Sequence, residues 1–343
     1  MAGDRATSVL AFLAALVVLG VVLWLVGLGE VTAALTRADR GTVALLLPVV
    51  AVWLTAWGLS LYVVLRALGA SIRPHQAVFV FTAALFSNNI TPFGQAGGEP
   101  VSAMFIASAS DSEYENGLAA IASVDTLHFI PSLAGATVGL GYAALTAVQL
   151  TEDLRVAAAA VATLAAVVPT AGYLVWRYRG RVEDIAVTRL GPLIRAVGRA
   201  VPVASAPSAA AIERRVGGFF QSIARVAADR RALVAATLLS ALGWLCLSTS
   251  LWLSLTAVGA SLPFLSVLFV VPVGMIAGVT PFPGGLGGID AAFVALLVPL
   301  GVPASLAAAA VVVHRGATFW LPTVVGGGAA AVLGARARRE RGV

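Results

Sequence analysis

The sequence predicts an all-α integral membrane protein: six full transmembrane helices plus two broken helical hairpins, arranged as an inverted repeat. Three observations carry that expectation. Of 343 residues, 59% are apolar and 11% charged, with a mean hydropathy of +0.96, whereas a soluble domain is about half apolar and about a quarter charged. Apolar runs recur along the chain at the length of about 20 helical residues that a bilayer crossing needs. A short Thr-Pro-Phe motif also occurs twice, with its flanking segments in register. A water-soluble enzyme is excluded. So is a nucleic-acid module, because the net charge of +6 is spread over loops between apolar runs and forms no aromatic-interleaved patch. Cys246 is the single cysteine and lies within an apolar run, so neither an intrachain disulfide nor a cysteine metal site can form. No metal and no other cofactor is expected.

The first run, residues 8–29, is too long for a signal-peptide core and lacks a small-x-small cleavage site, so it reads as a retained helix. Further full crossings are expected at 42–66, 117–149, 156–176, 232–257 and 303–334. Two other apolar stretches, 76–108 and 264–299, are interrupted near the middle. The first interruption reads Asn88-Asn89-Ile90-Thr91-Pro92-Phe93-Gly94-Gln95-Ala96-Gly97-Gly98-Glu99-Pro100. The second reads Thr280-Pro281-Phe282-Pro283-Gly284-Gly285-Leu286-Gly287-Gly288-Ile289-Asp290. Proline removes a helical donor and glycine lowers helix propensity, so each stretch should fold as a hairpin with non-helical backbone at its tip. Such backbone survives at membrane depth only inside protein or beside a wet cavity. The alternative is a pair of kinked core helices.

Residues 177–231 form the longest polar segment, with eleven arginines against Glu183, Asp184, Glu213 and Asp229. Apolar residues spaced between the arginines predict amphipathic interfacial helices around a linker at 202–208. The positive-inside rule places this segment in the cytoplasm, and the tail with Arg336, Arg338, Arg339 and Arg341 votes the same way. Anionic lipid headgroups are its expected partner; a basic loop that only fixes orientation is the plainer reading. Both termini are then cytoplasmic in a multi-pass cell-membrane protein.

Thr91-Pro92-Phe93 and Thr280-Pro281-Phe282 are 189 positions apart, and that shift carries 42, 76 and 117 onto 231, 265 and 306, the starts of the second-half segments. Gly97-Gly98 and Gly287-Gly288, Glu99 and Asp290, and Phe129-Ile130-Pro131 and Trp320-Leu321-Pro322 match after a small insertion. The whole chain, 1–343, thus reads as one transmembrane domain with units at about 42–149 and 232–334, joined by 156–176 and the arginine-rich segment. Counting crossings from the cytoplasmic segment puts the first hairpin on the inner side and the second on the outer side, with Arg37 and Arg40 in an outside loop. Inverted repeats with broken helices at the midplane are a recurrent transporter architecture.

At these motifs the chain resembles the transmembrane domain of the lysylphosphatidylglycerol synthase family, also called flippase-like proteins. The shared pattern is an Asn-rich approach to Pro-x-x-x-Gly-Gly-Glu-Pro, here 88–100, a later Pro-x-Pro-Gly-Gly-x-Gly before an acidic residue, here 281–290, and an arginine preceding Phe-x-x-Pro, here Arg315 and Phe319 to Pro322. The likeness runs from about residue 8 to 334. Many members carry arginine or another polar residue near the Gln95 position and glutamate at the Asp290 position. The synthase members continue into a large soluble catalytic domain, whereas this sequence ends nine residues past Gly334. The resemblance therefore implies a lipid-translocating module without aminoacyl transfer.

Glu99, Asp125, His128, Asp290 and His314 beside Arg315 are expected at membrane depth, where charged groups face a cavity or a partner. Asp125 and His128 share a helical face. The repeat places Asp125 next to the position matched by Arg315, so an Asp125–Arg315 pair is expected, either structural or functional. Half-helix N-termini after Gly98 and Gly288 would favour an anion; Glu99 and Asp290 either cap them or handle substrate or protons. Asn88, Asn89, Thr91 and Gln95 could hydrogen-bond a headgroup or merely brace the tip. The translocation set is completed by Gly97, Thr280, Gly284, Gly285 and Gly287. No Walker loop, His-Glu-x-x-His helix or Gly-x-Ser-x-Gly elbow occurs, so no catalytic residue is expected. The sequence thus predicts a non-enzymatic lipid flippase or scramblase with membrane lipid as substrate. A secondary transporter of a small solute and an intramembrane enzyme or assembly factor are the alternatives.

Overall fold

A computed structural model describes residues 27–91, 95–110, 112–146, 209–278 and 282–340, together with Gly20 and scattered positions between 159 and 188. Among the described residues the chain is helical with no strand, as the sequence predicts. Helix α1 spans Leu28–Arg37 after Gly27, whose φ of 101° breaks the chain direction. Then come α2 (Arg40–Ala44), running into α3 (Leu46–Ala67), α4 (Pro74–Ile90), α5 (Gln95–Ser110) and α6 (Tyr114–Thr146). The second half holds α7 (Ala209–Ala228), α8 (Arg230–Ala257), α9 (Phe264–Ile276), α10 (Gly288–Leu297), α11 (Ala304–Arg315) and α12 (Leu321–Glu340). A 3₁₀ turn, Pro283–Gly285, precedes α10, and a π-helical turn, Gly316–Trp320, joins α11 to α12.

Among the described residues, five stretches are long and apolar enough to cross a membrane: Arg40–Ala67, Tyr114–Thr146, Arg230–Ala257, Pro283–Leu300 and Ala304–Leu333. Four coincide with full crossings expected from sequence. The crossings expected at 8–29 and 156–176 lie largely outside the described residues, as does most of 177–208. Helix α6 runs unbroken through Pro131. Both interrupted stretches are broken where proline and glycine cluster: α4 ends at Ile90 and α5 begins at Gln95, while α9 ends at Ile276 before the Pro283 turn.

The centre of the molecule is α3 against α8. The Trp57 indole donates to the Ser240 carbonyl at 3.2 Å and the Ser60 hydroxyl to the Ala236 carbonyl at 3.2 Å. Partner numbers fall as α3 numbers rise, so the two helices are antiparallel. Their close approach needs Gly243, where a Cβ would collide with the Trp57 indole. Around this pair α4 packs on α12 and α6 on α9. At one end the Asp39 amide donates to the Ala257 carbonyl at 2.9 Å. At the other, a cleft of about 490 Å³ is lined by Leu68–Ser71 and by Ser110, Ser112, Glu113 and Asn116, so both ends of the first hairpin meet there. The Ser222 hydroxyl of α7 donates to Asn116 Oδ1 at 3.0 Å at that same end.

Local geometry repeats between the halves. Asp39 caps α2 by accepting from the Thr42 amide at 2.8 Å; Asp229 caps α8 by accepting from the Arg231 and Ala232 amides at 3.0 Å. At the far ends of α3 and α8 stand Gly69-Ala70-Ser71 and Gly259-Ala260-Ser261, both glycines at φ 83°. Ala70 donates to the Leu65 carbonyl at 3.0 Å and Ala260 to the Leu255 carbonyl at 2.9 Å, closing the same left-handed C-cap. These pairs are 190 positions apart, one more than the 189 that relates the Thr-Pro-Phe motifs. An N-cap aspartate is worth about 1 kcal/mol, so Asp229→Ala is expected to lower stability by that amount in thermal unfolding in detergent.

Candidate functional site

The second tip is built around Arg315. This residue ends α11 and is 8% exposed, at a depth where an unpaired guanidinium would be very costly. Its Nε donates to Asp290 Oδ1 at 3.1 Å and its Nη2 to the Gly284 carbonyl at 3.1 Å, while its guanidinium lies 4.5 Å from the centre of the Phe319 ring. Asp290 is 3% exposed and its other oxygen accepts from the Gly287 amide at 2.7 Å. The carboxylate therefore caps α10 and holds the arginine at once, and the positive end of the helix dipole favours it there. Gly284, at φ 56°, turns the backbone so that its carbonyl reaches Arg315. Leu286, Phe319 and Phe282 form a small apolar cluster beside this network.

The first tip meets the second here. A Cβ on Gly284 would collide with the Phe319 ring and come within 3.1 Å of the Asn89 carbonyl, so the end of α4 lies directly against the Pro283–Gly285 turn. The Asn89 amide donates to the Thr323 hydroxyl at 2.8 Å, and that hydroxyl donates to the Phe319 carbonyl at 2.5 Å. Thr91 donates its hydroxyl back to the Ser87 carbonyl at 2.6 Å, which closes the end of α4. Asn88 faces α5: the Ser102 hydroxyl donates to the Gly98 carbonyl at 3.0 Å and lies 3.4 Å from Asn88 Oδ1.

Two expectations are corrected. Arg315 pairs with Asp290, not with Asp125, because α10 packs directly on α11 and brings Asp290 to the arginine, whereas α6 packs on α5 and α8. Gly98 is not at a half-helix N-terminus: α5 starts at Gln95, so Gly97, Gly98 and Glu99 are within its first turns. Gly98 instead lets the two hairpin arms touch, since a Cβ there would collide with Asn88, backbone included. Gly288 does begin α10, and Gly285 and Gly287 hold positive φ values of 65° and 78° at its approach. Nothing beyond helical backbone is described for Gln95 and Gly97, and Thr280 lies outside the described residues.

Glu99 and Asp125 form a second polar centre. Glu99, on α5, lies near Asp125, on α6, where the two helices pack on each other. One turn along α6, His128 stacks on Trp57 at 4.1 Å between ring centres. His314 is held separately, its Nδ1 3.0 Å from the Ser250 hydroxyl and its ring edge-on to Phe293. The sequence reading missed the His128–Trp57 stack and the π-helical turn. Trp57 and His128 are far apart in sequence, so only packing could reveal the first. Among the described residues no group of histidine, cysteine and acidic side chains could hold a metal.

Fold and site together define a polytopic helical membrane protein with two interrupted apolar hairpins that meet around a buried arginine–aspartate pair. The chain belongs to the family described as lysylphosphatidylglycerol synthase TM region, whose pattern matches residues 9–326. It is similar to a UPF0104 membrane protein of Methanothermobacter thermautotrophicus, 28% identical over 331 residues, which cover 94% of this chain and 92% of the relative. A UPF0104 membrane protein of Pyrococcus horikoshii is 24% identical over 313 residues, 90% of this chain and 91% of the relative.

Proposed function

We propose that this protein is a lipid flippase or scramblase that passes a polar, phosphate-bearing headgroup between its two hairpin tips, without catalysing a covalent reaction. The observation that carries this reading is the setting of the first tip. Asn88 and Asn89 are buried, yet Ile90 beside them is 47% exposed, and Trp320 and Val324 on the adjoining turn and helix are 39% and 74% exposed. Polar tip groups therefore border an exposed apolar surface, an arrangement suited to a substrate whose headgroup enters the protein while its chains stay in hydrocarbon. A small water-soluble solute has no use for that border. Arg315 supplies a cation matched to a phosphate oxygen, and a headgroup would compete with Asp290 for it.

The antiparallel α3–α8 pair, the matched caps and the crossed packing of α4 on α12 and α6 on α9 support an inverted relation between the units. The two hairpins would then provide half-pathways that open alternately. Mass spectrometry of lipid retained by the purified protein tests the substrate class. Enrichment of a phosphate-bearing lipid over the membrane average is expected, and its loss in Arg315→Gln. Retention of no lipid, with binding of a soluble anion instead, would favour the solute transporter.

Arginines of the 177–231 segment would recruit anionic lipid to the cytoplasmic surface through screened charge. Neutralising Arg214 and Arg215 is therefore expected to slow lipid movement modestly at low salt and hardly at all at high salt, read in vesicles over a salt series.

A further inference from the structure

Three helices converge on Trp57, and each brings a buried polar atom without a partner among the described residues. On α3 it is Trp53 Nε1, on α6 His128 Nε2, and on α8 Ser240 Oγ. Their side chains belong to residues only 4%, 6% and 0% exposed. All three residues touch the same indole: His128 stacks on it, Trp53 meets it edge-on at 5.5 Å, and the Ser240 carbonyl accepts its N–H. One turn along α6, Asp125 Oδ2 is also buried without a partner. A buried polar atom left dry is costly. Four of the five such atoms among the described residues belong to residues at this contact or one helical turn from it.

The chemistry of the four atoms identifies the occupant. Trp53 Nε1 only donates, His128 Nε2 donates or accepts according to tautomer, the Ser240 hydroxyl does both, and a carboxylate oxygen accepts. A ligand that both donates and accepts in every direction satisfies them all, and water is the smallest that does so. Neighbouring Trp244 is already committed, its indole donating to the His128 carbonyl at 2.9 Å. Phe81, 6.1 Å from Trp57, closes the apolar side.

We propose that the α3–α6–α8 junction is an internal hydration site, in which ordered waters bridge Trp53, His128 and Ser240 and continue along α6 to Asp125. The site is separate from the Arg315 network and does not depend on what the protein transports. It connects the Glu99–Asp125 carboxyl pair to a buried polar chain along which a proton can move.

Pulsed radiolytic labelling of the full-length protein in H₂¹⁸O tests this, because a buried side chain takes up water-derived oxygen only where bound water touches it. Normalised to intrinsic reactivity, Trp53 and Trp57 are expected to label well above Phe269 and Phe293, which are 0% exposed in the apolar core. His128→Phe keeps a ring to stack on Trp57 and removes the polar edge, so labelling of both tryptophans should be lost. Equal, slow labelling of Trp53, Trp57 and the two phenylalanines in the wild type would overturn the proposal. So would unchanged labelling in His128→Phe. If that variant does not fold, the wild-type comparison decides alone.

Discussion

Replacing Arg315 with Gln is expected to destabilise the protein by about 3 to 5 kcal/mol, because Asp290 would be left as a buried carboxylate with, among the described residues, the Gly287 amide as its remaining partner. Asp290→Asn should cost a similar amount by stranding the guanidinium. The double change should cost less than the sum, since removing both charges leaves neither unpaired, with a coupling of about 0.5 to 3 kcal/mol. Thermal unfolding of all four proteins in one detergent measures the cycle. Additivity would mean that the 3.1 Å contact contributes nothing. By contrast, Asp125→Asn combined with Arg315→Gln should be close to additive, because these residues do not share a partner.

The second large effect concerns the glycines that let backbone approach backbone. At Gly284 a β-branched residue meets two obstacles, a φ of 56° that L side chains rarely adopt and the Phe319 ring in the space its Cβ needs. Strain of about 1 to 3 kcal/mol from the dihedral adds to about 1 to 3 kcal/mol from overpacking. Gly284→Val should therefore displace the turn, pull its carbonyl from Arg315 and open the contact with Asn89. Gly98→Val should separate the arms of the first hairpin by colliding with Asn88. Gly41→Val, whose Cβ meets only the exposed Asp39 carboxylate, at 3.4 Å, is the control expected to change little. Unfolding midpoints for the three variants check the order.

Much of this architecture is legible in the residues because a bilayer permits few alternatives. Backbone hydrogen bonds must close within each segment there, so length and apolarity alone locate helices such as Arg230–Ala257. Proline and glycine likewise locate both interruptions. The repeat is legible at the tips, yet the caps at Asp39 and Asp229 and the turns at Gly69 and Gly259 fit it better with a shift of 190. What sequence could not settle was partner choice between helices. The sequence pairs Arg315 with Asp125, whereas the packing of α10 on α11 gives it Asp290. The role of Gly98 was equally hidden, since a glycine that caps a helix and one that admits a neighbouring helix look alike in a string of letters. The π-helical turn at Gly316–Trp320 leaves no sequence mark.

Under the proposed function, lipid crosses the membrane between the hairpin tips. The most direct test reconstitutes the purified protein into vesicles carrying a headgroup-labelled fluorescent phospholipid and adds dithionite, which bleaches only the outer leaflet. Wild-type protein is expected to bring label from the inner leaflet out, so that bleaching proceeds well beyond the outer half. Gly284→Val and Arg315→Gln, where folded, should stop at the outer half as empty vesicles do. Bleaching by the wild-type protein no further than in empty vesicles, or full bleaching by both tip variants, would contradict the account.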